Sequence, residues 1–303
     1  MSYAGPDLDP PQSRRPRRGP LTVALAALVP GALLGWLVYE AVGGGPGGHD
    51  GTAAPGPVPR RSAVSSSPPV TAAPSGTDSL RGKVVVIDPG HNPGNFRHTA
   101  EIGRTVDIGN HRKECDTTGT STNDGYAEAR FTLDLAHRLR ALLERRGATV
   151  KLTHDEGGRE WGPCVDERAR IGNTAHADAA VSLHADGSAA GNRGFHVILP
   201  GSVHAGAADT RAIVGPSHDL GTRIAGAFLR STGEPPSNYL GGGTGLVTRT
   251  DLGGLNLSTV PKVFLECGNM RDSKDAALLT SGAWRQKAAR GISEGIVGFL
   301  RQS

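Results

Sequence analysis

The sequence has no large excess of charge of either sign. Its 33 Lys and Arg against 29 Asp and Glu leave a net +4 over 303 residues. Residues 1–79 hold Arg14, Arg15, Arg17, Arg18, Arg60 and Arg61 against Asp7, Asp9, Glu40, Asp50 and Asp78, so the remainder is balanced too. Such a chain carries no electrostatic footprint for nucleic acid, despite a pI near 9.1. No G-x-y repeat underlies the 44 glycines and 21 prolines, which excludes a collagen-like chain. At 37% hydrophobic and 20% charged residues the chain is neither fully disordered nor a multi-spanning membrane protein. No H-E-x-x-H occurs, so the usual helix-borne metalloprotease arrangement is excluded. Cysteine is scarce, at three residues.

What is present begins with an address. S-R-R-P-R-R at 13–18 precedes nineteen uncharged residues, Leu21 to Tyr39. That length spans a bilayer core of about 30 Å. The Arg cluster predicts an N-inside orientation, and Trp36 and Tyr39 fall where amphipathic rings favour the interface. With no Cys near the span, a lipoprotein anchor is not expected. A cleaved signal peptide is the alternative, although no clear A-x-A site follows. From Gly43 the chain is rich in Gly, Pro, Ser and Ala and cannot bury enough surface to offset its ordering entropy. The expected organisation is a cytoplasmic Arg-rich segment (1–20), a transmembrane signal-anchor (21–42), a linker (43–80) and one exported folded domain (81–303). The expected location is the cell membrane, single-pass with the domain outside, or secreted if the segment is cleaved.

The folded part alternates strands with helices. Strands are predicted at Lys83–Asp88, Ala148–His154, Ala180–His184, Phe195–Leu199 and Lys262–Glu266. Helices are predicted at Tyr126–Arg146, Val165–Ala175 and Asp219–Thr232, with one or two more from about Ser273. This is an α/β domain with a mostly parallel twisted sheet flanked by helices. Two long polar stretches, 92–125 and 233–258, are too long for plain connections.

His91, in D-P-G-H-N-P-G, follows the first strand; His184 and Glu266 close two others. Ligands of open α/β sheets bind at those carboxyl ends. Glu128 falls on the centre line of the apolar stripe Phe131, Leu135, Leu139 and Leu142, in the first turn of its helix. An acid there either caps the helix N-terminus or serves a site, because acids are almost never buried unpaired. Two His and a Glu plus water form a recurrent catalytic zinc set, with a further carboxylate to take the proton. The chain has eleven His, and His98, His111, His154 and His196 compete for such a role.

At these residues the chain resembles the zinc-dependent N-acetylmuramoyl-L-alanine amidases of bacterial cell-wall metabolism, of the third amidase family type. The resemblance covers about 82–302. It includes V-V-V-I-D-P-G-H ending at His91, Glu128 at the helix start, E-R-A-R-I-G-N (Glu167–Asn173) and V-S-L-H-A-D (Val181–Asp186). It continues through T-R-T-D-L-G-G-L (Thr248–Leu255) and V-F-L-E-C-G-N-M (Val263–Met270). It implies one Zn²⁺ on His91, Glu128 and His184 at the carboxyl ends of the strands, and Glu266 as the catalytic carboxylate. It also implies hydrolysis of the amide between the lactyl group of N-acetylmuramic acid and L-alanine of the peptidoglycan stem. The chain departs from the family in Asn92-Pro93 and the long insert after His91, and in His154 where Arg is common.

In an exported protein, a disulfide between Cys115 and Cys164 would pin the insert beside the metal site, and Cys267 reads as a buried free thiol. The expected partners are peptidoglycan and, through the N-terminal helix, the membrane; a monomer is expected and nucleic acid is not. The rival readings are an inactive peptidoglycan-binding module and a zinc hydrolase of another cell-wall bond.

Overall fold

In the computed structural model the structure describes residues 79–302. The expected N-terminal segment, the membrane helix and nearly all of the linker lie outside the described residues. Among the described residues, no helix is long and apolar enough to cross a membrane.

Strands in chain order are β1 (Val84–Pro89), β2 (Thr105–Asp107), β3 (Arg112–Glu114), β4 (Thr149–Leu152), β5 (Ala179–Asp186), β6 (His196–Pro200), β7 (His204–Ala205), β8 (Ala208–Asp209), β9 (Leu246–Arg249) and β10 (Lys262–Asn269). Helices are α1 (Thr99–Gly103), α2 (Glu128–Arg145), α3 (Val165–Thr174), α4 (Val214–Thr232), α5 (Gly253–Asn256), α6 (Ser273–Thr280) and α7 (Gly282–Leu300). The main sheet has the order β4-β1-β5-β10-β6-β9. All neighbours are parallel except β10 and β6. The α/β reading therefore holds, with one antiparallel step. β9 was not expected; it lies inside the stretch 233–258, and β2 and β3 form a hairpin inside the insert 92–125.

Strand alternation divides the sheet into two unlike faces. Val85, Ile87, Val181, Leu183, Val263 and Leu265 point to one side and are fully buried. There they meet Phe131, Leu135 and Leu139 of α2, Ile224 and Phe228 of α4, and Ile292 and Ile296 of α7. Residues recurring every three or four positions put one apolar stripe of each helix on this face. The helix starts follow from capping: the Asp272 carboxylate accepts from the Lys274 and Asp275 N–H groups, and the Ser281 hydroxyl accepts from that of Trp284.

The opposite face is covered by α3, α5 and the insert, and its strand residues become polar toward the carboxyl ends. Val86 and Ala180 lie in a small apolar cluster with Ala177 and Val260. Asp88 and Ser182 follow, and Lys262 opens β10 beside them; all three are buried. Asp88 Oδ1 accepts from Thr153 Oγ1 (2.7 Å) and Arg168 Nη1 (2.8 Å). Its Oδ2 accepts from Ser182 Oγ (2.9 Å) and Lys262 Nζ (3.0 Å).

The Cys115–Cys164 disulfide is present, and Cys267 is free and buried. With its cysteines 49 positions apart in the sequence, the bond contributes about 4 kcal/mol in the chain-entropy account. The double variant Cys115→Ser, Cys164→Ser should melt lower by a few kcal/mol in a denaturation experiment. An unchanged melting curve would contradict this.

Candidate metal centre and active site

His91 leaves β1 through the tight sequence Pro89-Gly90 with φ of 62°, a left-handed conformation that costs a non-glycine residue about 1–3 kcal/mol. Arg168 holds it there. The guanidinium donates to Pro89 O (2.6 Å) and His91 O (3.0 Å), and its remaining donors go to Asp88, Asp116 and Pro163. Asp116 Oδ1 lies 3.3 Å from His91 Nδ1, and Thr117 O lies 3.1 Å from the same atom. Those contacts fix the ring and leave Nε2 directed at Glu128 Oε2, 3.2 Å away.

Glu128 opens α2 and is buried rather than capping toward solvent. Its carboxylate accepts from the Thr120 N–H (2.9 Å) and the Ala185 N–H (3.2 Å), and its Oε1 lies 3.0 Å from His184 Nδ1. His184 projects from β5 onto the same face as Asp88 and Ser182. Phe264 stacks flat on its ring at 5.1 Å, and the His91 ring meets it edge-on at 5.1 Å. Gly90 passes so close that a Cβ would sit 2.3 Å from His184 Cε1. Gly119, at φ +73°, leaves similar room, since a Cβ would lie 2.8 Å from Glu128 Oε2.

One donor atom from each of His91, Glu128 and His184 lies within 4.8 Å of the others, so the three can share one metal ion. Burial, the largest single effect, pushes the His91 imidazole down; the Glu128 charge and the hydrogen bonds to Asp116 and Glu128 outweigh it and hold the ring up at about 10. Burial likewise pushes Glu128 up, but the charge of His91 and the hydrogen bonds to both imidazoles hold it well below the usual carboxylate range. A cation bound by the three would compete with protons for these same atoms.

Glu266 sits on β10 in register with His184 on β5 and His196 on β6. It shares a cavity of about 300 Å³ with the three cluster residues. Among the described residues its buried Oε2 has no hydrogen-bond partner. Burial, then the charges of Glu128 and Asp186, push its carboxyl well above the ordinary value. The strands run on past both residues, and the register of β10 shifts after Glu266. The site therefore lies on one face of the sheet near the carboxyl ends, rather than at the edge itself.

The competing histidines lie elsewhere. His98 lies 3.4 Å from Glu101 and packs near Trp161, and His111 pairs with Asn110. His154 is buried and donates from Nε2 to Pro89 O (3.0 Å); burial and the nearby Arg168 charge hold it down at about 4. His196 packs edge-on against Tyr239.

Asp88, Asp116 and Arg168 were not singled out in the sequence. The signal for Arg168 was there: Val165, Arg168, Ala169 and Gly172 share one helical face, and a charge on such a face needs buried partners. Asp116 had no such signal, since it lies in an irregular insert.

The buried network sets an acid limit. Burial raises Asp88, but the Lys262 and Arg168 charges win and hold it well below the ordinary value of about 3.9. Its contribution is present above that value and is lost as pH falls toward the folded-state one. Melting temperature should fall steeply below about pH 4, and more shallowly for Asp88→Asn. That variant should itself cost about 3–5 kcal/mol, because it leaves Arg168 and Lys262 underpaired. A wild-type curve no steeper than the variant's would contradict this.

The family model for N-acetylmuramoyl-L-alanine amidase matches residues 85–297. The chain belongs to that family. A curated N-acetylmuramoyl-L-alanine amidase of Mycobacterium tuberculosis is 42% identical over 240 residues, covering 78% of this chain and 95% of that protein. The crystal structure of the amidase Ami1 from Mycobacterium smegmatis matches at 40% identity and a TM-score of 0.68, over 74% of this chain and all of that one. Ami1 from Mycobacterium abscessus, in its apo form, matches at 38% and 0.66, over 73% and all of that chain. The enzyme class read from the sequence, an amidase acting on peptidoglycan, stands with this membership.

Proposed function

We propose that the enzyme hydrolyses the amide between the lactyl group of N-acetylmuramic acid and L-alanine with one Zn²⁺ held by His91, Glu128 and His184, and with Glu266 as catalytic base. The observation that carries this reading is the unpartnered Glu266 Oε2, which faces the same cavity as a two-nitrogen, one-oxygen donor set. That donor set of two imidazoles and a carboxylate suits zinc. Zinc bound there acidifies water and polarises the scissile carbonyl.

This chain's residues do the rest. Glu266 takes the proton of the attacking water at Oε2 and returns it to the nitrogen of the departing L-alanine. Burial and the charges of Glu128 and Asp186 raise its proton affinity, the direction needed by a group that must also hold and return the proton. Asp116 and Thr117 keep the His91 ring turned toward the metal position, and Phe264 keeps that of His184 in place.

The location is part of the same proposal. The nineteen uncharged residues after the Arg cluster anchor the chain, residues 43–80 give it reach, and the domain works outside the membrane. The disulfide suits an oxidising compartment. Protease digestion of intact cells should remove the domain and leave a membrane-bound stub. Protection of the domain would contradict the orientation.

Digestion of purified peptidoglycan followed by mass spectrometry tests the reaction. The expected products are glycans with free lactyl groups and peptides with L-alanine amino termini. Cleavage at any other bond would contradict the proposal.

A further inference from the structure

Arg249 ends β9 and reaches the catalytic cavity from the side opposite β5. It is the one Arg or Lys among the residues that line this cavity, whose other walls include the acids Glu128, Asp186 and Glu266. Its guanidinium is fixed: Nε donates to Asp251 Oδ1 (2.7 Å) and Nη2 to Asp251 Oδ2 (2.5 Å). Asp251 is held in turn by Lys113 Nζ of the hairpin at 3.6 Å. Among the described residues, no acceptor pairs with Nη1, and the side chain is 40% exposed. Arg249 and Glu266 line the same cavity, and the charges of Glu266 and Asp186 also act on the guanidinium.

Zinc held by the cluster would offset Glu128 and Glu266, so Arg249 is a second, separately placed cation that an incoming anionic group meets in this cavity. Peptidoglycan stems are anionic, and a planar guanidinium matches a carboxylate far better than it matches a neutral amide. Arg249 lines the same cavity as Glu266 and the three cluster residues, so an anionic group it binds lies near the reacting bond. We propose that Arg249 is a specificity residue that binds the carboxylate of the residue following L-alanine in the stem, and that Asp251 positions its guanidinium. This rests on the amidase reading given above.

The test uses the zinc-loaded full chain and three muramoyl tripeptides. The first bears the carboxylate on the residue after L-alanine. The second bears a carboxamide there and no free carboxylate. The third has that carboxamide and a carboxylate on the next residue. Wild type should prefer the first substrate. Arg249→Ala should lose about 10–100-fold more kcat/KM on the first than on the second or third, chiefly through KM, with equal zinc content. Arg249→Lys should recover part of the loss, and Asp251→Asn should fall between. Equal losses on all three substrates would overturn the proposal and make Arg249 a catalytic or structural group. A loss specific to the third would overturn the assignment to the adjoining residue. No wild-type turnover of any substrate would overturn the amidase reading itself.

Discussion

Glu266→Gln lowers peptidoglycan turnover by about 10²–10⁴-fold, the usual contribution of a general base, while zinc content and melting temperature stay close to wild type. The amide keeps the size of the carboxylate but cannot accept the proton. The buried Oε2 has no protein partner to lose, and a neutral amide removes a group that Glu128 and Asp186 disfavour as a charge. The variant therefore has no structural reason to unfold. Steady-state release of L-alanine amino termini at saturating zinc measures the effect. Turnover within about threefold of wild type would remove Glu266 from the role of base, because that factor is small against any general-base contribution.

Glu128→Ala loses zinc. Supporting residues around a metal typically contribute 10–100-fold in affinity, and removal of the anionic member of a three-residue donor set should exceed that range. An acid that merely caps a helix is worth about 1 kcal/mol or less and leaves metal binding untouched. The structure separates these two roles, because the Glu128 carboxylate is turned inward, between both imidazoles and the Thr120 and Ala185 amides. Competitive titration with a coloured chelator gives the affinity. Equal affinities in the two proteins would reject the ligand role.

The fold was legible where period and punctuation agree. The run Val84–Asp88 and the alternation at Val181–His184 locate β1 and β5, and α2 and α4 end where Gly147 and Gly233 take left-handed backbone. Helix α4 begins at Val214, five residues before the predicted start, and β9 is a short edge strand without a strong alternating pattern. The antiparallel placement of β6 depends on pairing across a long connection, which local pattern does not report.

The candidate site was legible for a different reason. Glu128 interrupts an apolar helix stripe, which is costly unless used, and His91, His184 and Glu266 follow or close strands; it was the family resemblance that set them apart from the competing histidines. The supporting groups were harder to see. Asp88 was read only as the end of its strand, yet it anchors four donors. Asp116 and Thr117 come from an insert with no period at all, and they reach His91 because the Cys115–Cys164 bond ties that insert to the start of α3. Arg249 was visible only as part of a motif, since the cavity that gives it meaning is formed by four separate strands and loops.

The central claim is that one zinc ion sits among His91, Glu128 and His184. X-ray absorption at the zinc edge on the purified, dialysed protein tests it most directly. The expected result is one zinc per chain, with two imidazole nitrogens and oxygen donors at about 2.0–2.2 Å and no sulfur. Protein that retains no zinc, or zinc bound through a sulfur at about 2.3 Å, would contradict it.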